Sequence, residues 1–316
     1  IPHATREITE QNVQRVMEMA RPAQIPVDRE IIHILPRGFA VDGQGGVRQP
    51  VGMSGARLDV ETHVITGGSP FLKNVLKSVQ QAGLQVDTIV LEPVATSEAV
   101  LTEEEKEVGV VVADIGGGTT DVAVVVDGAI AHSSVIPVGG NHVTSDLAVG
   151  LKTSRAEAER LKKEYGCALV SMVTGDELVE MSTLEGENKR PILRRALAEI
   201  IEPRMQEIYT IIRDDLKQHG FQHSLSGIVL SGGGSLLHGA TELAQETLLL
   251  PARIGRPRDV DGQAESLDSP IYATAVGLLY FGAARRYREK HYANTQGPIA
   301  NAWGQLRHWL LRIFGG

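Results

Sequence analysis

The chain has 316 residues, enough to bury a sizeable core and to form roughly two domains. With 42% hydrophobic and 22% charged residues it has the composition of a soluble globular protein. A net charge of -8 argues against a nucleic-acid binder, because neutralising phosphates takes clustered Lys and Arg, which are scarce here outside the C-terminus.

The single cysteine, Cys167, cannot form an internal disulfide, and no apolar stretch reaches the roughly 20 residues that cross a bilayer, so a reducing cytosolic setting is expected. The chain begins at Ile1, inside what reads as an ongoing fold, so an N-terminal truncation is expected.

Thr9 reads as an N-cap for a helix carrying Val13, Val16, Met17 and Ala20 on one face, with Ile8 placed to staple against Val13 and Pro22 to end it. Through residues 29–66, apolar runs at 31–35 and 60–65 are broken by Asp42-Gly43 and Gly45-Gly46, the pattern of short strands and turns. Ser69-Pro70 starts a second helix, whose Phe71, Leu72, Val75, Leu76 and Val79 are expected to face a core. Residues 1–83 therefore form a compact α+β unit.

A different texture follows. Residues 86–91 read as a strand, Pro93 opens a helix ending near Leu101, and 108–112 and 122–126 are near-continuous buried strands joined by a glycine turn, with a hairpin at Asp127-Gly128. Residues 146–151 and 155–164 read as helices, and 174–188 as a polar, irregular peripheral insertion. A helix over 197–217 should kink at Pro203. After the strand 228–231 and a second glycine loop, a last core helix over 272–288 carries Ala273, Ala275, Gly277, Gly282 and Ala283, small enough for close backbone approach. Residues 289–301 read as a linker.

The loop 114–122 is the most informative feature. Consecutive glycines let backbone N–H groups converge on phosphate oxygens where any Cβ would collide, and Gly116, Gly117 and Gly118 supply them. Thr119 and Thr120 add hydroxyl donors, and Asp114 at the strand end is a carboxylate able to order a magnesium-bound or attacking water, with Asp121 second to it. A tight turn using glycine only for positive φ is the competing reading. Gly232, Gly233, Gly234 and Ser235 repeat the strand-then-glycine grammar, and the pairing suggests one nucleotide held between two loops. Glu159 and Lys162, three apart on one helix face, can hold ribose hydroxyls, although spacing alone fits a solvated ion pair better.

On a helix, Trp303, Leu306, Trp309, Leu310, Ile313 and Phe314 form one apolar face, with Arg312 opposite and Arg307 at its edge. This describes an interfacial membrane helix over 302–316, the alternative being a terminal helix that docks on the protein's own core. One copy would bind lipid reversibly, and a polymer of many copies far more tightly.

With these features in view, the chain resembles the FtsA family of bacterial cell-division proteins, within the actin, Hsp70 and hexokinase superfamily. The likeness runs through 74–79, 83–87, 114–121, 143–147, 165–168, 201–204, 273–278 and the tail. It implies an α/β, actin-like (ribonuclease H-like) fold with an FtsA-type α+β insertion subdomain at 1–83 and a return segment of subdomain 1A at 84–105. Subdomain 2A would occupy 106–150 and 201–288, subdomain 2B would occupy 151–200, and the linker and amphipathic helix follow.

The resemblance makes 114–120 the second phosphate loop and 232–235 the adenosine loop, and reads Glu159 and Lys162 as ribose contacts. It places Glu92 as a water-positioning residue, with Glu98 as runner-up. It further implies ATP and Mg binding, polymerisation into actin-like filaments, and capture of the FtsZ C-terminal peptide at an anionic membrane surface. The setting would be the cytoplasmic side of the inner membrane at the septum, with later division proteins as further partners and any ATP hydrolysis slow and secondary. The family's first phosphate loop would precede Ile1, so weak ATP binding is expected of this chain. A pilus or secretion adaptor of the same fold and a small-molecule kinase of the superfamily are the alternatives.

Overall fold

The computed structural model describes residues 6–183, 189–260 and 264–295. The N-terminal unit comprises β1 (Arg6–Glu7), α1 (Glu10–Met19), β2 (Arg29–Val41), β3 (Gln44–Val47), β4 (Ser54–Gly55), β5 (Leu58–Gly68) and α2 (Ser69–Gln81). Thr9 caps α1 reciprocally: its hydroxyl accepts the Asn12 N–H at 3.4 Å, and Asn12 Oδ1 accepts the Thr9 N–H at 2.9 Å. Strand β2 pairs antiparallel with both β3 and β5. Helix α2 departs from expectation: Leu72, Leu76 and Val79 are half-buried, whereas Phe71 and Val75 are 77% and 59% exposed. Only one side of α2 packs, against β5 and the Leu72-facing Gly67, so its apolar stripe is wider than its contact.

Residues 84–91 hold no strand, against expectation. A strand needs a neighbour for its N–H and C=O groups, and no described strand pairs here; the Leu91 N–H donates to His33 Nε2 at 3.0 Å instead. The chain then runs through α3 (Glu92–Val100), α4 (Glu103–Val108), β6 (Val110–Ile115), β7 (Thr120–Val126), β8 (Ala129–Ile136), α5 (Gly140–Leu151) and α6 (Arg155–Tyr165). Val108, read as strand, closes α4 and is 61% exposed.

The stretch 174–188, expected to be irregular, contributes β9 (Leu178–Ser182), which pairs antiparallel with β10 (Lys189–Leu193). Its period-2 signal is short and flanked by charge: Val179 and Met181 are buried while Leu178 and Glu180 face solvent. Then come α7 (Arg194–Gln218), an uninterrupted helix with Pro203 inside, β11 (Ile228–Ser231), α8 (Ala240–Leu248), β12 (Ala252–Ile254), α9 (Ala264–Leu267) and α10 (Ala273–Thr295). Helix α10 continues past the expected start of the linker at 289. The rest of that linker and the whole amphipathic segment, from Trp303 to Phe314, lie outside the described residues, as do 184–188 of the insertion.

The central sheet has the order β12-β11-β6-β7-β8, in which β6, β7 and β8 form an antiparallel meander and β11 and β12 run parallel to β6. Every residue of β6 is buried, because alternate side chains serve two cores. Val111, Ala113 and Ile115 face α5, α6, α7 and α8, while Val110 and Val112 face α3 and α10. Helices α3 and α10 approach closely at one point, where a β-carbon on Gly277 would stand 1.8 Å from the Ala95 carbonyl oxygen. Gly282, expected to serve the same contact, has open space around it.

Candidate functional site

Strands β6 and β11 are parallel neighbours with Ser231 in register with Asp114, so both glycine loops leave the same carboxyl edge. Open α/β sheets bind ligands at that edge. The loops touch. Gly232 has φ of +75°, and a β-carbon there would lie 2.3 Å from Asp114 Oδ1 and 2.6 Å from the Ile115 carbonyl oxygen; one on Gly234 would lie 2.4 Å from Ile115 Cγ2. Gly233 has only Ile271 within reach, at 4.0 Å.

In the first loop, Gly116, Gly117 and Gly118 all lie outside the positive-φ region, so the turn-only reading of these glycines does not hold. Gly116 and Gly117 are closely packed, since a β-carbon on either would lie 3.2 Å from the Thr119 carbonyl oxygen or the Asn141 side chain, respectively. The Gly116 N–H donates to the Thr119 carbonyl at 2.9 Å, while Gly116 and Gly117 carbonyls accept from the N–H groups of Gly140 and Asn141 at 2.9 and 2.7 Å. Gly117 and Gly118 are exposed, and a β-carbon on Gly118 meets nothing within 4 Å, leaving its backbone open to a ligand. Gly139, Gly140 and Asn141 thus belong to the cradle: a β-carbon on Gly139 would lie 2.7 to 2.9 Å from three carbonyl oxygens of the loop. Sequence reasoning passed over them, though a Gly-Gly pair between an apolar run and a helix was the signal.

Asp114 is 3% exposed, and its Oδ2 accepts from Thr96 at 2.9 Å and Thr274 at 3.1 Å, hydroxyls from α3 and α10. Burial raises its pKa, against those two bonds. Asp121, in register with Asp114, is raised by burial too, although the Thr119 hydroxyl donates to it at 2.9 Å. Glu92 opens α3 and keeps solvent contact. Partial burial, then the Asp121 and Asp114 carboxylates, push it up to about 7, against the polar Thr274 side chain. The structure therefore brings Asp114, Asp121 and Glu92 together. Glu98, the runner-up, is engaged by Lys106 Nζ at 3.1 Å and lines a separate cavity.

Besides Thr119, which donates to Asp121, two further expected donors are committed elsewhere. The Thr120 hydroxyl is buried and donates to the Val138 carbonyl at 2.8 Å, tying β7 to the Gly139 turn. Ser235 is fully buried and donates to the Gly232 carbonyl at 2.7 Å, so it shapes its loop from within.

Glu159 and Lys162 are not a solvated pair. Their ion pair measures 2.7 Å, with side chains 32% and 15% exposed, and Lys162 Nζ also donates to the Gly140 carbonyl at 3.0 Å and to Thr144 Oγ1 at 2.9 Å. Burial opposes ionisation of Glu159, but bonds from Lys162, Thr144 and Lys163 hold it at about 2. Through Gly140 this network joins the first glycine loop.

The acidic residues fit a hydrated divalent cation. Asp114 is a buried carboxylate whose partners are hydroxyls, and the three carboxylates do not converge on one point as direct ligands, which favours contact through water. A separate cavity of about 620 Å³ lies beside α3 and α10, lined by residues such as His33, Val94, Ile130, Tyr280 and Phe281. It contains none of the glycines of 116–118 or 232–234 and offers a mostly apolar wall, so the glycine loops are the better anion site.

Known proteins agree with this architecture. The model of the cell division protein FtsA matches residues 111–277, and that of the SHS2 domain inserted in FtsA matches residues 1–66. The chain is 42% identical over 313 residues to cell division protein FtsA of Pseudomonas aeruginosa, covering 96% of this chain and 75% of that relative. This chain belongs to the FtsA family. The FtsA of Escherichia coli strain K12 is 40% identical over 321 residues, covering 99% and 75%.

Among solved structures, MreB5 of Spiroplasma citri bound to AMPPNP superposes with a TM-score of 0.58 at 20% identity, covering 71% of this chain and 68% of that one. The PilM–PilN type IV pilus biogenesis complex gives 0.60 at 20% identity, covering 88% and 74%. These likenesses show the actin-like fold. The SHS2 match at residues 1–66 lies within the N-terminal α+β region, so this chain is an actin-like division protein carrying that inserted domain.

Proposed function

We propose that this chain binds Mg-ATP between the loops 114–120 and 232–235, assembles into actin-like filaments and tethers the FtsZ ring to the membrane. The observation that carries the nucleotide reading is the contact of Gly232 with Asp114 at the ends of two parallel strands. Gly117 and Gly118 would meet phosphate oxygens, and Glu159 with Lys162 the ribose. Asp114 would hold the cation through water, with Glu92 beside the attacking water. A bound Mg-nucleotide supplies a phosphoanhydride and a divalent charge. The chain's own residues orient it, and Glu92, held at about 7, sits where a proton is readily exchanged near neutrality. Hydrolysis would be slow and secondary to binding.

Family membership supports the FtsZ C-terminal peptide as partner, and later division proteins as further ones. Subdomain 2A at 106–150 and 201–288 would carry both glycine loops, 2B at 151–200 would supply Glu159 and Lys162, and 84–105, returning the chain from the SHS2 unit, would supply Glu92. The amphipathic pattern of 302–316 supports peripheral anchoring on the cytoplasmic side of the inner membrane at the septum. Co-sedimentation with anionic liposomes, with and without residues 302–316 and an FtsZ tail peptide, tests this. Lipid binding that vanishes with the tail, and peptide recruitment that needs the protein, are expected. Equal lipid binding by the truncated chain would refute the tether.

A further inference from the structure

At the opposite end of the sheet from the glycine loops, His132 on β8 pairs with Val124, which pairs with Val111 near the start of β6. There the C-terminal turn of α7 brings Asp215 and, at the helix cap, His219 to the edge strand. Asp215 and His219 stand four apart and share one helix face.

We propose that His132, Asp215 and His219 form a binding site for a zinc-class transition-metal ion that clamps the end of α7 to β8. Among the described residues this is the one group of three such side chains whose ligand atoms all lie within 4.8 Å of one another. His132 Nε2 is 2.9 Å from Asp215 Oδ2, and His219 Nδ1 is 3.2 Å from Asp215 Oδ1. Ligands held at 2.0–2.1 Å around a tetrahedral metal stand about 3.3 Å apart, so small side-chain movements admit the ion.

The surroundings suit a metal. The Phe221 ring lies 5.9 Å from His132, an apolar wall on one side, while the two imidazoles stack at 4.1 Å, so the exposed His219 ring must turn to aim its nitrogen at an ion shared with His132. The Ser134 hydroxyl donates to Asp215 Oδ2 at 2.8 Å, the kind of outer hydrogen bond that fixes a ligating carboxylate. His132 and Asp215 are 13% and 18% exposed while His219 is 42% exposed, so two ligands are anchored and the third leaves an entry path. Two imidazoles and one carboxylate favour zinc, cobalt or nickel over calcium or magnesium.

His219 Nδ1 also lies 2.9 Å from the Asp215 carbonyl. Metal binding through Nδ1 would release the proton held there and break that hydrogen bond, leaving the carbonyl outside the coordination shell. The fourth position would be filled by water.

The test is titration of the purified chain with Co²⁺ and Zn²⁺, read by cobalt visible absorption and calorimetry. One ion per chain with the intense bands of four-coordinate cobalt is expected, and H132Q or H219Q should weaken it at least about tenfold. S134A should weaken it less, and H223Q, which alters an exposed histidine outside the cluster, not at all. Asp215 anchors several bonds, so the exposed His219→Gln carries the decision should Asp215→Asn fail to fold. Metal affinity unchanged in H219Q, or a cobalt spectrum that stays octahedral and weak, would overturn the site.

Discussion

Gly232 and Asp114 meet where β11 and β6 end, so closely that a β-carbon on Gly232 would stand 2.3 Å from Asp114 Oδ1. The same carboxylate is held on its other oxygen by Thr96 and Thr274, which belong to α3 and α10. Asp114 is therefore the point at which both loops and both helices of one face converge. A change in any of them is felt at the site.

Gly232→Ala places a side chain on a residue with φ of +75° and against Asp114 and Ile115. The substitution should cost about 2–4 kcal/mol of stability. Urea unfolding measures it, and a loss below about 0.5 kcal/mol would show that the loops separate freely.

Gly118→Ala is the contrasting case, since nothing lies within 4 Å of the added carbon and φ is not left-handed. Stability should stay within about 0.5 kcal/mol while Mg-nucleotide affinity falls about tenfold, measured with a fluorescent ATP analogue.

Much of this site was legible in the sequence. Gly116 to Gly118 and Gly232 to Gly234 stood out because each run follows a buried strand, and the parallel pairing of β6 with β11 brings the two runs together. Thr120 and Ser235 misled, since a hydroxyl's direction is set by tertiary partners, here Val138 and Gly232 carbonyls. Residues 86–91 misled for a similar reason: their composition suits a strand, but pairing depends on a neighbour. The β9 hairpin was hidden because Val179 and Met181 alternate for too few residues among charges. Thr9, by contrast, caps α1 through a local rule that needs no tertiary context.

Gly277→Ala drives a methyl to within 1.8 Å of the Ala95 carbonyl oxygen and forces α3 and α10 apart. It should cost about 3 kcal/mol or more, whereas Gly282→Ala, in open space, should be neutral or stabilising by up to about 1 kcal/mol. Thermal unfolding of the two variants decides. Equal midpoints would contradict the packing.

Glu92 and Glu159 predict opposite pH effects. A carboxyl raised to about 7 contributes stability that is fully present below its ordinary 4.5 and is lost as pH rises through about 7. Glu92→Gln should therefore gain stability relative to the parent across that window and run parallel above it. Denaturant unfolding over that range checks it, and a constant difference between the two proteins would contradict the shift.

Glu159, held at about 2, contributes stability present above 4.5 and lost as pH falls through about 2. Lys162→Met should reduce that acid-side slope and cost about 1–3 kcal/mol at neutral pH, discounted for partial exposure. Unfolding of the variant at neutral and acid pH checks both effects.

Hydrogen exchange of the chain with and without a large excess of Mg-AMPPNP tests the central claim most directly. Protection should appear together in residues 115–119 and 231–236, with the cavity by His33 and Phe281 unchanged. Protection confined to that cavity, or to one loop without the other, would contradict a nucleotide held between the two glycine loops.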